Sequence, residues 1–297
     1  KDIGTSIRCL QNIPGCTDEL ACNYNEEANF DDGSCGYSCH DNGDYSVSFD
    51  GVDDYVEIDN FNIDNTDFSI ALTFKLNQDL YNNVWGYPPF LNNIFHNYHE
   101  GGNEGNGWTI RLEEDNKLYF YVSNWGIPQQ YPQGSNIIKI SHNPSLVNIF
   151  DNNFHDLLIT YNSNTNLCHL YIDGIQHVEH LVPTEIVSSF NDEPLYVGAS
   201  FFDNSFMDSK IAFLSYFKSD LRDQNIYFID PNSSIDYLSP QYIYNFSAGS
   251  GDILYDYSGN QNHGGIYGTQ WVENIYGCMD ELACNYNEEA NFDDGSC

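Results

Sequence analysis

Residues 68–76 read FSIALTFKL. Phe68, Ile70, Leu72, Phe74 and Leu76 alternate with Ser69, Ala71, Thr73 and Lys75, the period of a half-buried strand. Similar short runs recur on both sides: YSVSFDG at 45–51, DYVEI at 54–58, GWTIRLE at 107–113 and KLYFYVS at 117–123. Further along come NFHDLLITYN at 153–162, LCHLYIDG at 167–174, PLYVGAS at 194–200 and SKIAFLSYF at 209–217. Gly, Asn, Asp and Pro punctuate the runs, which predicts an all-β antiparallel sandwich. One short helix is expected at SDLRDQNIYF, 219–228, with Ser219 as its cap. Cys168 is in phase with Leu170 and Ile172, so it is expected as a small buried hydrophobe.

The composition bounds the rest. A chain of 297 residues, 41% apolar and 15% aromatic, is long enough for one large all-β domain or two modest ones. Its 44 acids against 9 Lys and Arg leave a formal charge of −35. That balance argues against nucleic-acid partners and anionic membrane surfaces, because no basic surface is expected to meet phosphate. It favours bound divalent cations as counter-charge, or else a solvated acidic face. No run of 18 apolar residues occurs, so no membrane-spanning helix is expected. The start at Lys1, without Met or a signal-peptide pattern, suggests a processed chain or a piece of a longer one.

Eight of the nine cysteines cluster near the two ends, at 9, 16, 22, 35, 39, 278, 284 and 297, with Cys168 alone between. Such clusters read as disulfide modules of an oxidising, extracellular compartment. Zinc is the weaker reading, since no C-x-x-C pair occurs and only His40 lies near.

Those ends repeat each other. GCTDELACNYNEEANFDDGSC at 15–35 returns as GCMDELACNYNEEANFDDGSC at 277–297, differing only at Thr17 against Met279. A block this short cannot order itself through a core. The first copy carries Asp18, Glu19, Glu26, Glu27, Asp31 and Asp32 with no Lys or Arg. Hard oxygen donors at uneven spacing, followed by a turn glycine, suit Ca²⁺. The candidate ligands are Asp18, Asn23, Asn25, Asp31 and Asp32, and likewise Asp280, Asn285, Asn287, Asp293 and Asp294. The fit to an EF-hand is incomplete, because flanking helices and a closing Glu are absent. A disulfide knot with a solvated acidic face is the alternative.

The block resembles an extracellular repeat of the form GCxDxxAxNYxxxAxxDDGSC, found in tandem in large surface proteins, and is similar to the acidic repeats of thrombospondin. Gly15, Cys16, Asp18, Ala21, Asn23, Tyr24, Ala28, Asp31, Asp32, Gly33, Ser34 and Cys35 all match that form. The resemblance implies an extracellular spacer. Comparing the copies then suggests Cys16–Cys35 and Cys278–Cys297 as staples. Cys22 is assigned to Cys39, since the second copy has Trp271 near the place of Cys9. By the same logic Cys284 expects a cysteine beyond residue 297. IGTSIRCLQNIPGC at 3–16 echoes YGTQWVENIYGC at 267–278, so the chain reads as slightly more than one period, about 262 residues, of a tandem array. On this reading residues 1–14 are the tail of a preceding unit, 15–39 a cysteine-rich module, 45–272 the sandwich and 277–297 the start of the next module. Each joint has few apolar residues, so crosslinks and metal are expected to hold it.

A second resemblance rests on YSVSFDGVDDYVEI, LCHLYIDGIQ and KIAFLSYFKSDLRDQNI, which look like a laminin-G-like, concanavalin-A-type jelly roll. YNFSAGSGDILYDYSGNQNHGGIYGTQW at 244–271 is similar to a segment that accompanies such domains in surface proteins. This fold hosts lectins, adhesins, hydrolases and spacers, so function must come from the site. The leading reading is a structural repeat unit of a long extracellular adhesin, stalk or surface filament, whose partners are neighbouring copies of itself. The alternative is a lectin-like module binding glycans through Trp85, Tyr87 or Trp125. An enzyme is not expected. EIDNFN at 57–62 approaches a hydrolase strand, but Phe61 and Asn62 stand where a further carboxylate is needed. His96, His99, His177 and His180 read as surface histidines. Asp256, Asn260 and Asn262 suit either a second Ca²⁺ or Asx turns. Asn232 and Asn245 open N-glycan acceptor triplets, for a source that glycosylates them.

Overall fold

The Phe68–Leu76 strand is more deeply buried than its alternation implies. In the computed structural model, which describes residues 11–59, 61, 63, 66–76, 89–96, 105–113, 115–123, 136–182, 194–201, 204–222 and 240–297, only Ala71 of this strand is even partly exposed. Phe68, Ile70, Leu72, Phe74 and Leu76 face the main core. The other face is covered as well. Ser69 Oγ donates to the Ser219 carbonyl at 2.7 Å and accepts the Leu221 N–H at 3.0 Å. Thr73 Oγ1 donates to Asp156 at 2.6 Å, and the Lys75 ammonium lies over the Phe154 ring. The period is right and the expected solvent face is not, because a central strand has neighbours over both surfaces.

Among the described residues, two antiparallel sheets of eight strands enclose that core. One sheet runs Ile175–Leu181, Leu167–Ile172, His155–Asn162, Phe68–Leu76, Asp208–Phe217, Tyr45–Asp50 and Gln270–Glu273, with Pro240–Tyr244 also paired to Asp208–Phe217. The other runs Ile253–Leu254, Gly264–Tyr267, Tyr55–Ile58, Leu195–Val197, Pro89–His96, Gly105–Leu112, Leu118–Ser123 and Asn136–Ser141. Both sheets mix strands from the two ends of the chain. Gln270–Glu273 pairs with Tyr45–Asp50, and Gly264–Tyr267 with Tyr55–Ile58. Inside, Phe61 stacks on Tyr242 at 4.5 Å and lies against Trp108 and Tyr216. Cys168 is fully buried, as its phase predicts, and burial pushes its thiol well above the ordinary range. Of the expected helix, only Ser219–Arg222 are described; they form a bend and a turn, and 223–228 lie outside the described residues.

The two cysteine-rich copies fold alike. Pro14–Gly15 pairs in parallel with Phe30–Asp31, and Tyr276–Gly277 with Phe292–Asp293, in the same register. Asn29 accepts the Ile13 N–H at 2.9 Å, and Asn291 the Ile275 N–H at 2.9 Å. Disulfides join Cys16 to Cys35, Cys22 to Cys39 and Cys278 to Cys297. Cys284 is a free, exposed thiol, and Cys9 lies outside the described residues. Gly33 and Gly295 take φ of 75° and 70°, a region that an L side chain rarely adopts, where each acidic loop reverses. Among the described residues no helix is long and apolar enough to cross a membrane.

Candidate functional site

Residues 255–263 form a turn whose polar groups are tied to their own backbone. The buried Asp256 carboxylate accepts the N–H groups of Ile243 at 3.1 Å and Ser258 at 2.9 Å on one oxygen. Its other oxygen accepts the Asn262 N–H at 3.0 Å and the Ser258 hydroxyl at 2.8 Å. Asn260 Nδ2 donates to the carbonyls of Pro240 and Gln241 at 3.0 and 3.1 Å. Asp256, Asn260 and Asn262 therefore build a side-chain-braced turn rather than a set of outward-facing metal donors.

The first cysteine-rich module sits on this turn. The Asp256 N–H donates to His263 Nδ1 at 3.0 Å, which makes Nδ1 the acceptor and leaves the proton on Nε2. That Nε2–H faces Asp18 Oδ2 at 2.7 Å. Asp18 also accepts the Tyr37 hydroxyl at 2.6 Å and the Leu20 N–H at 2.9 Å. Burial pulls the Asp18 carboxyl upward, but the hydrogen bonds from His263, Tyr37 and Leu20 outweigh it and hold the group below its ordinary value. Burial and the adjacent Asp18 charge push the Tyr37 phenol far up, so it stays a donor. Gln261 Nε2 donates to Asp31 Oδ2 at 2.5 Å. His40 stacks on Tyr255 with ring centroids 4.0 Å apart, and Tyr37 meets His263 edge-on at 4.8 Å. Asp41 accepts the hydroxyls of both Tyr257 and Ser247.

This is a packed joint, contrary to the expectation from its composition. Cys16, Ala21 and Tyr37 form a small buried cluster against Tyr255 and Tyr257. The composition of the repeated block does not carry this apolar surface, because Tyr37 lies just past the block and its partners lie more than 200 positions away.

The acidic loops themselves are organised as Asx turns. Asn25 accepts the Glu27 N–H, Asp31 that of Gly33 and Asp32 that of Ser34, each at 3.1 Å. Asn23 donates to the Ser34 carbonyl at 2.6 Å and accepts the Gly36 N–H at 2.8 Å. Asp280, Asn285, Asn287, Asp293 and Asp294 repeat the pattern toward Leu282, Ser296, Glu289, Gly295 and Ser296. The donor chemistry, oxygen throughout, suits Ca²⁺, but as placed these carboxylates do not converge into a cage. Among the described residues, three carboxylate groups come within 4.8 Å of one another only at Asp50, Asp53 and Asp54, in the turn after the Tyr45–Asp50 strand. Asp54 there is buried and accepts the Asp50 N–H at 2.9 Å. Cys22, Cys39 and His40 also lie together, but the sulfurs are already bonded to each other.

A second feature lies on the outer face of the sheet that carries Tyr55–Ile58. Register places Tyr267 opposite Tyr55, and Tyr196 opposite Glu57, on three adjacent strands. Tyr55 stacks on Tyr267 at 4.5 Å, while Phe201 meets Tyr55 and Tyr196 edge-on at 4.9 and 4.8 Å. Tyr267 and Phe201 are nearly half exposed. Glu57 stands among them, its carboxyl raised by burial and then by Asp59. Alternation along 55–58 carries the signal for two of these residues; the juxtaposition with Tyr196, Phe201 and Tyr267 needs the sheet order. Trp85, Tyr87, Trp125 and the Asn232 triplet lie outside the described residues. Asn245 is half-buried, and its side-chain oxygen accepts both the N–H and the hydroxyl of Ser247. His177, partly buried, accepts the Asn143 N–H on Nδ1 at 2.8 Å and so braces a loop.

Among the described residues, two eight-stranded antiparallel sheets around one core define a jelly-roll sandwich of the concanavalin A type. The chain belongs to the laminin-G-3 family of the concanavalin A-like lectin/glucanases superfamily, whose family model matches residues 50–227. No curated protein sequence matches the chain significantly. Among solved structures, a proposed carbohydrate-binding protein from Bacteroides ovatus is similar over 77% of this chain and 60% of its own, at 12% identity and a TM-score of 0.52. The chain thus spans less than two thirds of that relative, and the likeness concerns the fold. The binding domain of Paraclostridial Mosquitocidal Protein 1 is similar over 67% of this chain and 41% of its own, at 19% identity and a TM-score of 0.39. A heptameric SAP-like pentraxin from Limulus polyphemus is similar over 61% and 83%, at 11% identity and a TM-score of 0.39.

Proposed function

We propose that the chain is a structural repeat unit of an extracellular array, a jelly roll carried between cysteine-rich modules. The supporting observation is the docking of the first module on the 255–263 turn through Asp18, Asp31 and Tyr37, with the same module returning after one jelly roll. The three disulfides among the described residues support an oxidising, extracellular compartment for the unit. Calcium enters as counter-charge to a chain of net charge −35 rather than as a caged ion. Mass measurement of the native, unreduced material tests the reading: masses of several units are expected, and single particles of about the chain's 33.9 kDa would remove it.

The outer-face platform of Tyr55, Tyr196, Phe201 and Tyr267 favours a second reading, glycan binding. Partly exposed aromatic rings flanked by a carboxylate such as Glu57 match the apolar face and hydroxyl edge of a sugar ring. A glycan array probed with the wild-type chain tests it. Binding lost in Tyr267→Ala supports the platform; no bound glycan at all leaves the structural role alone.

A further inference from the structure

The two copies of the module face different ways in one chain. Each copy shows the contact that the other leaves open.

The second copy is held by the jelly roll that precedes it. The Asn274 N–H donates to the Asp44 carbonyl at 2.8 Å, and Asn274 Nδ2 to the Asp44 carboxylate at 2.8 Å. The Tyr276 hydroxyl reaches the other Asp44 oxygen at 2.5 Å. Phe292 stacks on Phe154 with centroids 4.3 Å apart and planes 11° from parallel. At the corresponding places in the first copy Asn12 is exposed, and Phe30 is 54% exposed.

The first copy is held by the jelly roll that follows it, through Asp18 on His263 and Asp31 on Gln261. At the place in the second copy that corresponds to the partly buried Asp18, Asp280 is exposed. The two copies share the same short parallel strand pairing, but the first also has the Cys22–Cys39 disulfide and the Tyr37 hydroxyl on Asp18, whereas Cys284 of the second is free.

The two faces do not compete. Phe30 and Asp31, like Phe292 and Asp293, are neighbours on a short strand, and neighbouring strand side chains point to opposite sides. One side is aromatic and the other acidic.

We propose that the module is a two-sided joint: its Phe292 side clamps the jelly roll before it, and its free Asp280/Asp293 side docks on the 255–263 turn of a second jelly roll of this kind. The occupant is fixed by complementarity seen within the chain, since Asp18 and Asp31, the counterparts of Asp280 and Asp293, already sit on that turn against His263 and Gln261. The inference rests on the array reading and adds how the units are held. Because the two sides differ, the contact is head-to-tail. Repeated, it propagates from unit to unit rather than closing as a two-fold dimer. In a continuous array the joint forms directly. Between separate copies the turn is occupied by its own module, so docking in trans requires that module to be released.

Full-length variants followed by sedimentation velocity and by hydrogen exchange at residues 255–263 test the proposal. Asp18→Lys releases the first module, so exchange at the turn should rise and the chain should associate as concentration increases. Adding Asp280→Lys to the same chain should weaken that association roughly 10- to 100-fold, as loss of a charge-assisted hydrogen bond implies. A charge swap gives an independent arm. A His263→Asp chain should bind an Asp280→Lys chain and not the wild type. A released turn on a chain that stays monomeric, association indifferent to Asp280→Lys, unchanged exchange in Asp18→Lys, or no pairing in the charge swap would each overturn the joint. The native mass separately decides the array, so failure of the joint is distinguishable from failure of the array.

Discussion

Asp18 and His263 stand 245 positions apart in the chain and 2.7 Å apart in space. The backbone N–H of Asp256 sets the tautomer of the imidazole that meets Asp18. A turn braced by the buried Asp256 thus aims one N–H at one carboxylate and seats a module that has little core of its own.

Removing either partner should release the module without unfolding the sandwich. Asp18→Asn and His263→Ala are each expected to weaken docking by about 1.5–3 kcal/mol, the range for a hydrogen bond to a charged group. Limited proteolysis between residues 36 and 44 should accelerate, while the main thermal transition stays in place. A fall of the main transition by many degrees would place the pair in the global core instead.

Acid should act on the same contact. The docked Asp18 carboxyl is held below its ordinary value of 3.8, so docking favours the ionised form. Its contribution is fully present above that value and is lost as pH falls through the lower, docked value. Exchange at 255–263 should therefore rise only below about pH 3.8 in the wild type. In Asp18→Asn the rise should be absent, since the variant starts released and has no carboxyl to titrate there.

Chelation is expected to leave the module seated. Its contacts are hydrogen bonds and ring packing, and its acidic loops are closed by their own backbone N–H groups. Calorimetric titration of the full chain with Ca²⁺ should show weak, multiple binding of counter-ion type. A single tight site whose removal by EDTA frees residues 15–40 would restore the caged-metal reading.

The sandwich core should respond as a close-packed interior. Phe68 is fully buried against Tyr161, Tyr216 and Phe120. Phe68→Ala is expected to cost about 3–5 kcal/mol in chemical denaturation, from lost transfer energy plus the cavity. A cost under about 1 kcal/mol would mean that this strand is not central.

Alternation along 68–76 and its sister runs determined the all-β class, and the phase of Cys168 determined its burial. The spacing of the cysteines located the disulfide-bonded ends. These are local properties, carried by neighbours in the chain through the strand period and through short loop closure. What the sequence by itself did not show was that Ser69, Thr73 and Lys75 are also covered, that Tyr37 completes a packed joint, or that Tyr55, Tyr196, Phe201 and Tyr267 share a face. Nor did it show that the carboxylates proposed as calcium ligands would be occupied by backbone donors. Those facts depend on sheet order and on which strands from the two chain ends lie side by side. Such pairings join residues up to about 245 positions apart, and no local period encodes them. Only the closed sandwich brings His263 under Asp18.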